Sequence, residues 1–224
     1  IAEGQSSLLP IQDVLEKNLR RTGFGIPQKV PRRNGSGAAD TLASLEILNN
    51  GSLPDGLRVR GNFTDVTSQL RLDFPKSAGA MSIRAADLSS FRVGDVVMMD
   101  DREHQEYLTV TAVVVSGSRL RTGPWLRAYP AGSPVVKVTT VQFLPMDDSL
   151  LIITDGARRR LARNLSDFRI YPVLSDGTLD SLPPFPLEKV KSVEYRVRVR
   201  IPKVGGQGWL YRQAVNRVLL RNFQ

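Results

Sequence analysis

Between residues 193 and 201 the chain reads Val-Glu-Tyr-Arg-Val-Arg-Val-Arg-Ile, an alternation that leaves the backbone little choice. Successive side chains of an extended strand point to opposite faces. Val193, Tyr195, Val197, Val199 and Ile201 therefore share one face, and Glu194, Arg196, Arg198 and Arg200 share the other. A helix would scatter both sets around its circumference. One apolar face and one charged face is the pattern of an antiparallel sheet with a core on one side and water or a partner on the other. The run Gly205-Gly206-Gln207-Gly208 then turns the chain back into a last strand, making a C-terminal antiparallel hairpin.

A helical period appears at the other end. Leu8, Ile11, Leu15 and Leu19 recur in steps of three and four and form one stripe, widened by Val14. Gln12, Asp13, Glu16, Lys17 and Arg20 take the opposite side. Arg20 and Arg21 suit a helix C-terminus, where partial negative charge collects, and Gly23 suits the left-handed residue that ends it. Pro10 lacks an N–H and so belongs either in a first turn or at a kink.

No other segment has a long helical period. Residues 26–40 are rich in Pro, Gly and Arg and read as an exposed loop, while the apolar patch 42–48 fits a strand or a single helical turn. Further β-type segments fall at 57–59, 81–83, 95–99, 107–115, 119–121, 135–143, 150–154, 168–173 and 209–220. Ser116-Gly117-Ser118, Asp155-Gly156 and Asp176-Gly177 are turn candidates. The short, closely spaced strands from 91 to 143 suggest a small, strongly bent β unit or partial barrel. The expected architecture is α+β, one domain over 1–224. An amphipathic helix within 1–24 packs on an antiparallel sheet formed by about 149–224, with a β insertion at about 80–143.

Composition removes much of the chemistry a chain of 224 residues can perform. With no cysteine there are no disulfides, thiol nucleophiles or Cys-ligated metals, and one histidine, His104, excludes His-pair metal sites. Asp100, Asp101, Glu103 and Glu106 surround His104 and are the best metal or acid–base candidates, since hard cations want converging carboxylate oxygens. They lack EF-hand spacing and lie between two strands, where solvated hairpin charges are expected; Asp147-Asp148 reads the same way. No GxSxG elbow or SxxK pair accompanies the serines. The glycine clusters Gly23-x-Gly25, Gly35-Ser36-Gly37 and 205–208 lack the strand–helix setting of a phosphate cradle and read as turns. The expectation is a non-enzyme with no catalytic, cofactor or metal site.

Charge is the most informative bulk property. The formal net charge is +9, and from Lys191 onward eight Lys and Arg face a single acid, Glu194. A second cluster comprises Arg158, Arg159, Arg160 and Arg163. Arg196, Arg198 and Arg200 on one sheet face are candidates for binding the phosphates of nucleic acid or anionic lipid, or for a solvated outer face. Single-strand binders also need aromatic rings on the charged face, and Tyr195 alternates with the arginines and so points inward.

Taken in order, EKNLRRTGFGIPQ, LPDGLRVRGNF, FRVGDVVMMDD, YPAGSPVVKV, LARNLSDFRIYPV, VEYRVRVRI and NRVLLRN together resemble segments of minor type IV pilins of the PilW kind and type II secretion pseudopilins. The run EKNLRRTGFGIPQ (16–28) is similar to the end of their long helix, with Arg20, Arg21, Gly23 and Phe24 matching its closing turn. LPDGLRVRGNF (53–63) resembles the start of the globular head, FRVGDVVMMDD (91–101) and YPAGSPVVKV (129–138) the middle β region. LARNLSDFRIYPV (161–173), VEYRVRVRI (193–201) and NRVLLRN (216–222) resemble the C-terminal sheet. The family's peptidase site and apolar helix half have no counterpart here.

The resemblance implies a pilin-like fold in which residues 1–24 are the C-terminal half of a longer helix. It implies a non-catalytic subunit of a pilus or secretion filament, anchored in the inner membrane by an upstream segment, with a periplasmic head. Leu8, Ile11, Leu15 and Leu19 would then serve helix packing and assembly, other pilin subunits would be the partners, and the subunit would act in priming or at the tip. The alternative is a nucleic-acid-binding module that uses Arg196, Arg198 and Arg200, including for DNA uptake.

Overall fold

The computed structural model describes residues 2–27, 29–33, 39–48, 54–179, 186–203 and 207–223. Gly35-Ser36-Gly37 and Gly205-Gly206 lie outside them. The described chain opens with helix α1 (Ala2–Arg20), followed by β1 (Lys29–Arg33), β2 (Ala39–Ala43), β3 (Leu45–Leu48) and β4 (Gly56–Gly61). Next come β5 (Thr67–Gln69), β6 (Ala80–Ser82), β7 (Val96–Asp100), β8 (Gln105–Thr109), β9 (Ala112–Val114) and β10 (Arg119–Arg121). The last six strands are β11 (Pro134–Met146), β12 (Ser149–Thr154), β13 (Ala157–Ala162), β14 (Leu165–Leu174), β15 (Val190–Pro202) and β16 (Trp209–Leu219). The fold is α+β, mostly β, with one N-terminal helix against antiparallel strands. Two compact units divide it: residues 1–23, 45–59 and 140–224 form the first, and 24–44 and 60–139 the second.

In the first unit β14, β15 and β16 form an antiparallel sheet in that order. Helix α1 lies against β13, β15 and β16. Its stripe explains the seat: Ile11, Leu15 and Leu19 are fully buried and Leu8 nearly so, while Leu9, on the opposite side, is 59% exposed. Pro10 sits inside the helix, not in its first turn. Gly23 closes the helix at φ 75°, the left-handed conformation that glycine adopts without steric cost. The Asn222 side chain donates to Thr22 O (3.0 Å), tying this end to the C-terminal segment. Midway, Glu16 Oε1 accepts from Asn216 Nδ2 (2.5 Å) and from the Tyr195 hydroxyl (3.4 Å). Burial, then the Glu16 charge, pushes the Tyr195 hydroxyl up to about 12.

Two hairpins complete this unit, β3 with β4 and the end of β11 with β12, and β13 pairs along β12. Asp55, ahead of β4, closes the outer edge of β14. Its N–H donates to Phe168 O (2.7 Å), and its carboxylate accepts the Ile170 N–H (3.0 Å). Burial raises the Asp55 carboxyl above the usual range, against the lowering effects of that N–H and of Arg169. Replacing Asp55 with alanine leaves the Ile170 N–H unpaired in a buried setting and is expected to cost about 1–3 kcal/mol. Asp55→Asn keeps an acceptor and removes a buried charge, so it should cost less. Urea unfolding of both variants checks the order.

The second unit buries both faces of its central strands. Val97, Met99, Leu108 and Val135 enter one core with Trp125, while Met98, Tyr107, Val136 and Val138 enter another with Ile26 and Leu42. Burial on both faces is why β7 carries Val-Val-Met-Met and not an alternating pattern. β7 and β8 form a hairpin, and β11 pairs with both β7 and β5. β6, β10 and β9 make a separate three-stranded sheet.

Two expectations need correction. Residues 26–40 are not all loop: Lys29–Arg33 pairs antiparallel with Ala39–Ala43, and Arg32 also registers with Tyr107. Pairing partners overrode a composition poor in strand formers. The stretch 107–115 is not one strand. At its break the Val110 N–H goes to Asp95 O and the Thr111 N–H to Arg121 O, so the chain changes partners there.

Candidate interaction face

The hairpin register decides what stands beside the arginines. Arg196 pairs with Val215, Arg198 with Gln213 and Arg200 with Tyr211, so the odd-numbered residues of β16 share their face. On the other side Arg196 registers with Arg169, Arg198 with Asp167 and Glu194 with Tyr171. One outer face thus gathers Arg196, Arg198 and Arg200 with Tyr171, Trp209 and Tyr211. The opposite face holds Val193, Tyr195, Val197 and Val199, all buried, with Ile201 half-buried at the end.

Each arginine leans over a ring. The Arg196 guanidinium lies 4.9 Å from the Tyr171 ring centre, Arg198 4.3 Å from Tyr211 and Arg200 5.2 Å from Trp209. Guanidinium above a ring face is attracted by the negative centre of the π system, by about 0.5–1 kcal/mol at exposed sites. The stacked rings stay open to solvent, Trp209 at 45% and Tyr211 at 52%.

The cations are not equivalent. Glu194, expected to face water or a partner, is only 9% exposed. It is clamped by Arg196 (2.9 Å) and Arg217 (3.1 Å). Arg169 is similarly committed to Asp167 (3.1 Å) and Asp55 (3.6 Å). Among the described residues no carboxylate pairs with Arg198 or Arg200. The external charge of the face therefore concentrates on these two stacked guanidiniums.

Burial raises the Glu194 carboxyl, but hydrogen bonds from Arg196 and Arg217 outweigh it and hold the group below the usual carboxylate range. A depressed folded-state pKa adds stability above the ordinary carboxylate range, and that stability is lost as pH falls through the depressed value. Glu194→Gln is expected to lower stability by about 0.5–1 kcal/mol at neutral pH, the scale of a solvent-screened pair. It should also shrink the loss between neutral and acid pH, which urea midpoints across that range measure.

The His104 region is a turn. Asp101 Oδ1 accepts the N–H groups of Glu103 (3.0 Å) and His104 (2.6 Å), and Asp100 Oδ1 accepts that of Arg102 (2.7 Å). His104 Nδ1 is 3.5 Å from Asp101 Oδ2. Glu106 points elsewhere, accepting the Leu126 N–H at 2.9 Å. An open depression beside the turn, of about 600 Å³, is lined by Lys76, Asp101, Glu103, His104, Leu126, Arg127 and Ala128. Among the described residues no three His, Asp or Glu side chains converge as metal ligands would. Asp147 (φ 54°) belongs to the turn between β11 and β12, and Ser118, Asp155 and Gly156 also take positive φ in turns.

Sequence reasoning overlooked Tyr171 and left Trp209 and Tyr211 unplaced. The missing signal was register: once Arg200 is set opposite Tyr211, alternation puts both rings on the arginine face. Among the described residues no helix is long and apolar enough to cross a membrane. No protein-family model matches the chain, and no curated protein matches it in sequence.

Proposed function

We propose that this chain is the head of a minor pilin or pseudopilin, a non-catalytic subunit of a type IV pilus or type II secretion filament with a pilin-like fold. Supporting this is one observation above the rest: an N-terminal amphipathic helix lies along an antiparallel sheet through Leu8, Ile11, Leu15 and Leu19. In such a subunit the upstream continuation of the helix anchors the protein in the inner membrane and later packs among other helices in the filament. The head stays in the periplasm and then on the filament surface, at the tip or in a priming complex. Leu9, apolar and exposed on the side of α1 away from the sheet, gives the helix a contact for a neighbouring helix.

The coding sequence upstream of Ile1 tests the proposal. A short basic leader followed by about 20 apolar residues, enough to cross a bilayer, is the expected result. A natural start at Ile1, or a soluble domain directly before it, overturns it.

A second reading, nucleic-acid binding, gains support from the outer face of β14–β16, where rings and guanidiniums stand together as single-strand binders require. It predicts oligonucleotide binding that weakens steeply with salt, because phosphate contacts release counterions. Absence of binding at low salt removes it.

A further inference from the structure

Among the described residues β13, β14 and β16 are edge strands of the first unit, and their free sides are treated differently. The free side of β14 is occupied by Asp55, whose N–H and carboxylate engage Phe168 and Ile170. β13 carries Arg158, Arg159 and Arg160, all exposed, and charged edges resist pairing with foreign strands. β16 has no such cap, and of its two charged residues, Arg212 and Arg217, the second is engaged by Glu194. The strand spans Trp209–Leu219, contains no proline, glycine or acid, and pairs with β15 alone among the described residues. Along it Trp209, Leu210, Tyr211, Val215 and Leu219 are exposed. A long edge strand with exposed apolar residues and few charges is a template for another strand.

Charge narrows the occupant. Arg198 and Arg200 belong to β15, yet their guanidiniums lie over the rings of β16 and so reach toward its free side. Neighbouring strands are about 4.8 Å apart, which brings the outward side chains of an added strand near these two cations. Carboxylates there would gain partners that Arg198 and Arg200 do not have within the described chain. The other face of the added strand would run beside Leu210, Ala214 and Val218, with Arg212 and Asn216 between them, and calls for apolar residues or small polar ones such as Thr. A second copy of β16 is a poor occupant, because it carries Arg212 and Arg217 and no acid, and would set like charges together.

We propose that the free edge of β16 accepts an extended segment of a partner protein in which acidic and apolar residues alternate, added as a fourth strand to the β14–β15–β16 sheet. Main-chain hydrogen bonds supply affinity, and pairing of the carboxylates with Arg198 and Arg200 supplies selectivity. The inference is independent of the filament assignment.

The test uses the full chain and a blocked peptide of about eight residues alternating Glu with Val and Thr, the length of an ordinary strand. Expected are slowed amide exchange at every second residue of 209–219, and binding about ten-fold tighter than that of a peptide with Lys in place of Glu. The same peptide N-methylated at alternate positions keeps its side chains and loses its ladder donors, so it should not bind. Arg198→Glu with Arg200→Glu, on the sheet face away from the buried side, should reverse the preference between the Glu and Lys peptides. Equal binding of the N-methylated peptide, absence of binding, or no alternating protection overturns the proposal. Tighter binding of oligothymidylate, without alternating protection, also overturns it and assigns the face to nucleic acid.

Discussion

Replacing Trp125 with alanine is expected to destabilise the second unit by roughly 3–5 kcal/mol, the range for removing a buried Trp. The indole is fully buried. It meets Phe74 and Tyr129 edge to face, with ring centres at 6.3 and 5.8 Å. Each such pair adds about 0.5–1.5 kcal/mol beyond area burial. Its N–H donates to Thr122 Oγ1 at 2.8 Å, so alanine removes a hydrogen bond as well as volume. Domains have only about 5–15 kcal/mol in total, so the loss is a large share of what holds this unit. Trp125→Phe keeps most of the ring surface and loses the N–H, and should fall well short of the alanine value. Calorimetry and amide exchange in β7 and β8 read the difference. An alanine variant within 1 kcal/mol of the parent would mean that this core tolerates a cavity or collapses into it.

The second large effect is at Leu15. It is fully buried at the centre of the helix stripe, between Ile11 and Leu19. Leu15→Ala is expected to cost about 2–5 kcal/mol, set by how far helix and sheet close over the gap. Helix propensity works in the opposite direction, since alanine is the best helix former, so any loss reports the seat on the sheet and not the helix itself. Leu9→Ala, at an exposed position of the same helix, should stay within about 0.5 kcal/mol. Denaturant unfolding of the pair, with exchange rates along β16, separates packing from propensity. Equal effects at both sites would contradict the described helix seat.

How much of this was legible before the fold is best seen at particular residues. The stripe Leu8-Ile11-Leu15-Leu19 and the alternation 193–201 were readable because a single local period sets which side chains share a face. The turns at Ser116–Ser118, Asp155-Gly156 and Asp176-Gly177 were readable because positive φ selects a few residue types. β1 and β2 were not: Lys-Val-Pro-Arg-Arg has no period of two, and it is strand through pairing with Ala39–Ala43 on one side and β8 on the other. β13 was read as a basic cluster, since three consecutive arginines carry no hydrophobic pattern, and its register with β12 makes it extended. The break at Val110-Thr111 depended on acceptors at Asp95 and Arg121, distant in sequence.

The interaction face divides the same way. Local alternation alone put Arg196, Arg198 and Arg200 together, because neighbours two apart on a strand look the same way wherever the strand goes. Which rings they lean over, which acid neutralises Arg196, and which sheet edge lies open depended on strands paired across long separations. Those facts come from register and strand order, which are settled by the packing of whole elements and have no single-segment signature.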